Sequence, residues 1–198
     1  MNKIVKLKDL VRIRSGMVVS KTANNDETLL TDAFVRMIGT SDFDEDLNLR
    51  SDLQPNVLYK DSIAKNYLLQ NEILFNAKGK RFFASLFTGQ YENTIASAVF
   101  LILSLKSDVV QPEYLVWYLN HPETLKIFKS KQTTQVMPAI TKQELEDLEI
   151  IIPDFETQNK IIEIDQLKRE RIRVQRELTQ LHEDYINAIT YKKIKNGE

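Results

Sequence analysis

The C-terminal quarter of the chain carries one uninterrupted helical pattern. Between Asp154 and Asn196 the sequence has no glycine and no proline, and charged residues of both signs alternate. Residues at steps of three and four fill the a and d positions of a heptad repeat, which we call the seam: Ile164, Leu167, Arg171, Val174, Leu178, Leu181, Tyr185 and Ala188. A seam of this kind, over three to four heptads, predicts a long coiled-coil helix, which we place at residues 154–195.

The length of this predicted helix limits how it can be buried. About 38 helical residues at about 1.5 Å each extend about 57 Å, which exceeds the span of one small domain. Part of the seam must therefore meet something else. We expect either a second copy, making the protein a homodimer through the seam, or a matching helix elsewhere; the alternative is a helix folded back on its own domain. Arg171 interrupts the apolar row at an a position, where one polar residue can set register and partner number.

Residues 1–153 predict a mixed α/β domain, so the fold class of the whole chain is α+β. Short runs rich in β-branched and aromatic residues are typical of strands, and they lie at 34–39, 72–77, 82–87 and 94–105. Two helices are predicted at 112–121 and 122–131, each opening on a proline. The sequence "TKQE" fits a capping box in which Thr141 and Glu144 bond each other's backbone N–H groups. A strand at 148–153 should follow.

Composition and motifs argue against catalysis in this chain. There is no cysteine, and the two histidines are too few for a histidine-rich metal site, so we expect no metal and no cofactor. The five glycines form no phosphate-binding loop, and no nucleophile elbow is present. The acidic residues at 42–46 lack the glycine and closing glutamate of a calcium loop, which favours a solvated turn. Neither a spanning segment nor a signal peptide is evident, so the default is a cytoplasmic protein.

The net charge of −1 hides an uneven distribution. Residues 25–61 hold nine acidic side chains against three basic ones. Residues 74–106 and 121–142 each hold four basic side chains against one acidic. Basic loops in the middle and late parts of the domain could meet phosphates, although scatter over a solvated surface would give the same counts.

The order of segments resembles the specificity subunit of type I restriction–modification systems, namely one target-recognition domain followed by its spacer helix. The resemblance rests on these stretches: "VKLKDLVRIRSG" (5–16), "FVRMIGTSDF" (34–43), "LLQNEILFNAKG" (68–79), "ENTIASAVFLILSL" (92–105), "PEYLVWYLNHPETLKIF" (112–128) and "TTQVMPAITKQELEDLEIIIPDFETQNKII" (133–162). The chain departs from the family pattern at Glu72, Thr133 and Thr157, where Asp, Gly and Glu are usual. Family subunits carry two such domains and two helices, so this chain is similar to half of one.

The resemblance implies a protein that reads double-stranded DNA through residues 1–153 and performs no reaction itself. It implies a methyltransferase (modification) subunit as partner and, through that complex, a restriction subunit. No adenine-methyltransferase motif of the [DN]-P-P-[YF] kind is present. If two copies pair antiparallel, the target would be an inverted repeat with an unread gap. The alternative is a coiled-coil assembly or regulatory protein of such a complex that does not bind DNA.

Two segments carry the predicted DNA contacts. Their residues are Lys78, Gly79, Lys80 and Arg81 in the first, and Thr133, Thr134 and Gln135 in the second. Gly79 permits a tight turn, the lysines suit phosphates, and Arg81 could meet a phosphate or read guanine. Gln135 could pair with adenine or could satisfy backbone groups of its own loop. Phe82 and Phe83 begin an apolar strand and are expected in the core.

Overall fold

The computed structural model describes residues 3–19, 34–130 and 138–196. By their internal contacts, the residues divide into two units, Met1–Asn159 and Lys160–Glu198. The strands are β1 (Lys3–Lys6), β2 (Val11–Ser15), β3 (Phe34–Ile38), β4 (Val57–Leu58), β5 (Ile73–Asn76), β6 (Phe83–Leu86), β7 (Thr94–Ala96), β8 (Phe100–Leu105) and β9 (Glu149–Ile152). The helices are α1 (Leu7–Leu10), α2 (Asp61–Ala64), α3 (Pro112–Asn120), α4 (Pro122–Ser130), α5 (Lys142–Glu146) and α6 (Phe155–Asn196). The predicted α+β domain followed by a long C-terminal helix is confirmed.

Three small sheets build the first unit. The largest has the strand order β2-β8-β5-β6, with antiparallel neighbours throughout. A second sheet, β4-β3-β7, contains one parallel pair, β3 with β7. In the third, β1 pairs antiparallel with β9, so the start of the described chain lies beside the strand that precedes α6.

The apolar runs of the sequence become strands buried on both faces. All four residues of β5 are buried, which explains why that run shows no alternation of apolar and polar residues. The rings of Phe43, Phe83 and Phe100 meet at centroid distances of 5.2 to 6.1 Å and form the centre of one core cluster. The predicted placement of Phe82 and Phe83 in the core is confirmed by their burial.

The apolar stretch 94–105 forms two strands rather than one. The chain turns between β7 and β8, where the Phe100 N–H donates to the Ser97 carbonyl at 3.0 Å. Gly16 packs against this turn, because a Cβ there would overlap the Ser97 carbonyl oxygen and lie 2.6 Å from that of Ala96. The close approach of two backbones therefore requires glycine at position 16.

Glu72 places a buried carboxylate between two strands of the largest sheet and the loop before β5. Its side chain is 4% exposed. One oxygen accepts from Arg14 at 2.7 Å and from the Leu69 N–H at 3.0 Å, and the other accepts from the Ser104 hydroxyl at 2.6 Å. Since every contact uses the ionised carboxylate, this residue links β2, β8 and the loop at one point.

Gln158 fixes the first turn of α6 to the domain. Its side chain is fully buried. The amide nitrogen donates to the carbonyls of Val109 and Pro153, both at 3.0 Å, and the amide oxygen accepts from the Gln111 N–H at 2.9 Å. Asp154 caps the helix by accepting from the Thr157 N–H at 2.8 Å, and this bond lowers the pKa of Asp154.

We expect Glu72→Gln to lower the free energy of unfolding by about 1–3 kcal/mol, because it removes the charge that three donors share. The loss should stay below that of a fully buried ion pair, since the Arg14 side chain is 32% exposed. Urea unfolding measures the change. Glu92→Gln removes the same charge at an exposed position and serves as the control; equal losses in the two variants would contradict the prediction.

We expect Gln158→Ala to lower the free energy of unfolding by about 1–3 kcal/mol, because it leaves two carbonyls and one N–H buried without partners. The matched control is Gln175→Ala, at an exposed position of the same helix. A chemical denaturation midpoint for Gln158→Ala no lower than that of the control would show that the buried amide contributes no net stability.

Candidate nucleic-acid interface

Residues Lys78–Arg81, which we call the basic turn, connect the antiparallel strands β5 and β6. The strands are in register from Ile73 opposite Leu86 to Asn76 opposite Phe83. Gly79 has a φ of +97°, a conformation that side-chain-bearing residues rarely adopt. Lys78, Lys80 and Arg81 are exposed. The structure thus brings the four predicted residues together in one tight, positively charged turn.

Backbone hydrogen bonds hold the main chain of the basic turn. The Gly79 N–H donates to the Pro138 carbonyl at 2.9 Å, and Lys78 forms an antiparallel bridge with Ala139. The Ile140 N–H donates to the Ala77 carbonyl at 2.7 Å. Within the described ranges, neither lysine ammonium of the turn has a hydrogen-bond or ion-pair partner, so both remain available to an anion.

Arg81 is the member of the turn with a side-chain partner. Its guanidinium donates to the Glu45 carbonyl at 3.1 Å and lies 5.8 Å from the centre of the Phe83 ring. These contacts orient the side chain but use few of its five N–H donors. Arg81 therefore keeps donors for a phosphate or a base edge.

The loop that holds Glu45 is an ordinary hydrogen-bonded turn. Asp42 accepts from the Gly39 N–H at 2.7 Å, and Asp44 accepts from the Asn48 N–H at 2.8 Å. The solvated-turn interpretation of these acidic residues fits this geometry. In residues 3–19, 34–130 and 138–196, no three His, Cys, Asp or Glu side chains form a group that could hold a metal ion.

Asn76 is a polar residue of this region that the sequence did not single out. It ends β5 at 3% exposure, and its amide nitrogen donates to the Arg81 carbonyl at 2.6 Å. Its amide oxygen is buried without a partner. A cavity of about 290 Å³ is lined by Asn76, the basic turn and the facing loop that includes Thr40 and Asp44. A polar residue at the end of an apolar run was the available signal.

The second predicted segment, Thr133, Thr134 and Gln135, lies outside the described residues. The described chain resumes at Pro138, the residue whose carbonyl bonds Gly79. The contacts predicted for these three side chains stay predictions.

The seam residues are exposed in this single chain. Ile164, Leu167, Val174, Leu178, Leu181 and Tyr185 are each about half exposed or more, and Arg171 and Ala188 are exposed as well. A row of apolar side chains on a helix costs free energy in water unless a partner covers it. None of the described helices is long and apolar enough to cross a membrane.

Comparison with known proteins identifies relatives of one kind. A family model described as "Type I restriction modification DNA specificity domain" matches residues 2–181. The specificity subunit of the type I restriction enzyme HindI from Haemophilus influenzae is 28% identical over 132 residues, which are 66% of this chain and 28% of that relative.

Solved structures show the same fold. A chain from a structure of the type I restriction–modification system superposes with a TM-score of 0.55 at 19% identity, covering 88% of this chain and 40% of that one. The HsdS subunit of Thermoanaerobacter tengcongensis superposes with a TM-score of 0.53 at 17% identity, covering 88% and 39%. The chain spans less than half the length of these relatives. Because the family model covers most of its residues, the chain belongs to the family of type I restriction–modification DNA specificity domains.

Proposed function

We propose that this chain recognises double-stranded DNA sequence-specifically as a specificity subunit, or half of one, of a type I restriction–modification enzyme. It directs a methyltransferase subunit, and through that complex a restriction subunit, to the target site. The chain itself carries out no reaction and acts in the cytoplasm. The observation that carries the proposal is the basic turn of a DNA specificity domain, with its main chain fixed by backbone bonds and its cationic side chains exposed.

The basic turn suits a DNA backbone for physical reasons. Lys78 and Lys80 present ammonium groups without protein partners, and phosphates supply the charge that they lack. Arg81 is held near Glu45, so its guanidinium meets DNA with little loss of side-chain freedom. A localised basic surface accounts for DNA binding by a chain whose net charge is only −1.

Thr133, Thr134 and Gln135 complete the proposed interface. Their short hydrogen-bonding side chains suit base edges and phosphates with little dependence on salt. Gln135 stands three positions before Pro138 in the sequence, and the Pro138 carbonyl bonds the basic turn. This adjacency supports placing both segments on one DNA-binding face.

The proposal divides the labour between residues 1–153, which read DNA, and residues 154–195, which act as spacer and dimerisation helix. The exposed seam supports self-pairing, because two copies would cover each other's apolar rows. Two recognition domains related by a two-fold axis would read an inverted repeat.

A second candidate function is that of a coiled-coil assembly or regulatory protein that does not bind DNA. The net charge of −1 and the exposed seam favour it. The two candidates differ in one measurable property: phosphate contacts make the affinity for random duplex fall with salt, whereas an assembly protein shows no such binding.

We expect the double variant Lys80→Ala, Arg81→Ala to weaken duplex binding by about 1–3 kcal/mol, or about 5- to 150-fold in Kd. If both residues contact phosphates, the slope of log K against log salt should fall by about two units; if Arg81 reads a base, it should fall by about one and discrimination at one base pair should relax. Fluorescence anisotropy over a salt series measures both quantities.

The control for this experiment is Lys192→Ala, Lys193→Ala, which removes the same charge from exposed positions of α6. Equal affinities of the two double variants at every salt concentration would remove the basic turn from the interface.

We expect Leu178→Glu to convert the dimer to monomer, because it places a carboxylate in the middle of the seam. Leu178 is 54% exposed in the single chain, so the substitution should leave the monomer folded. The control is Ile172→Glu, at 36% exposure and off the seam. Multi-angle light scattering gives the masses; equal masses for parent and Leu178→Glu would refute pairing through this row.

A further inference from the structure

Four carboxylates follow the seam at seven-residue intervals. They form what we call the carboxylate row: Glu163, Glu170, Glu177 and Asp184. Each directly precedes an a residue of the seam and therefore occupies a g position, on one flank of the apolar row. All four are exposed. One flank of the seam is thus acidic along its whole length.

Most of this charge is already engaged within the helix. Arg173 bonds Glu170 at 2.6 Å and Glu177 at 3.3 Å, and Asp184 accepts from the Gln180 amide at 3.1 Å. Arg171 differs, because among the described residues its guanidinium has no ion-pair or hydrogen-bond partner. The charged residue in the seam itself therefore lacks a partner beside a row of carboxylates.

A parallel pair of helices would place Arg171 badly. In a parallel coiled coil each a residue meets the same a residue of the partner, so the two Arg171 side chains would share one layer. Two guanidinium groups would then be desolvated against each other with no carboxylate between them. Arg171 disfavours this orientation for two identical chains.

An antiparallel pair gives Arg171 an acidic neighbour. Here a residues meet d residues, and the register symmetric about Arg176 pairs all eight seam positions with one another. The matched layers are Ile164 with Ala188, Leu167 with Tyr185, Arg171 with Leu181, and Val174 with Leu178. The g positions of the two copies face each other in this geometry, so Arg171 lies between its own Glu170 and the partner's Asp184.

Shifting the antiparallel register by one heptad is unfavourable in either direction. One shift places Leu167 opposite the partner's Lys192 and Ile164 opposite the partner's Lys195. The other places Lys160 opposite the partner's Tyr185 and brings Thr157, in the first turn of α6, into the seam. The carboxylate rows face each other in every antiparallel register, so a cation between them is needed.

We propose that an ion pair between Arg171 and the partner's Asp184 sets the antiparallel orientation and the register of two paired helices. The pair occurs twice, once on each side of the two-fold axis near Arg176. This inference rests on the self-pairing in the proposed function and adds the residues that decide how the copies pair.

Disulfide trapping tests the proposal directly, because the chain contains no cysteine. Val174→Cys and Leu178→Cys are made as separate single variants of the full chain and are mildly oxidised alone and as a mixture. In the antiparallel register the mixture cross-links and each variant alone does not. We expect a ratio of mixed to self cross-links of about ten or more.

The same cysteine pair then reports on Arg171 and Asp184. In an Arg171→Leu background we expect the ratio to fall towards one, because the parallel layer no longer clashes and the carboxylate rows lose their cation. Arg171→Asp alone should also lose the preference. The charge-swapped chain, Arg171→Asp with Asp184→Arg, should recover it, and this recovery separates an ion pair from a packing effect.

The outcomes separate the two proposals. A monomer by light scattering at all concentrations overturns self-pairing and this inference together. A dimer in which single cysteine variants cross-link with themselves overturns the orientation and leaves self-pairing intact. A mixed-only pattern that persists in Arg171→Leu, or that the charge swap does not restore, overturns the role of the ion pair.

Discussion

The buried amide of Gln158 is the interaction on which the arrangement of the chain depends. It satisfies backbone groups on both sides of it in sequence, the Val109 carbonyl and Gln111 N–H before α3 and the Pro153 carbonyl after β9. A side chain with one acceptor and two donors is needed, and an apolar residue would leave these groups buried and unpaired. The first turn of α6, through Asn159, therefore belongs to the same compact unit as the sheets.

The remainder of α6 is stabilised by different means. Ion pairs at spacings of three and four residues join Arg169 to Asp165 at 2.7 Å and Arg173 to Glu170 at 2.6 Å. Each contributes only a few tenths of a kcal/mol on an exposed helix. The apolar row beside them is exposed, so local pairs alone do not explain why a sequence keeps such a row over eight positions. A covering partner does, and the isolated charge of Arg171 gives that partner an orientation.

Local chemistry could be predicted from the sequence, whereas contacts between distant segments could not. The Thr141 capping box forms as predicted, with bonds of 2.7 and 3.1 Å, because all its atoms lie within four residues. The glycine at position 79 likewise announces its turn. By contrast, Glu72 meets an arginine 58 positions away, and Arg81 meets a carbonyl 36 positions away. Asn76 escaped notice because its role depends on the loop folded over it, which no periodicity encodes.

The basic turn keeps its shape without using the side chains of its two lysines. Gly79 supplies the backbone conformation, and the bonds to Pro138, Ala139 and Ile140 are made by main-chain atoms. Positions 78 and 80 can therefore change residue type while the scaffold stays intact. A surface of this kind is evolvable: substitutions there alter what is recognised at little risk to folding, so new specificities are accessible through single viable steps.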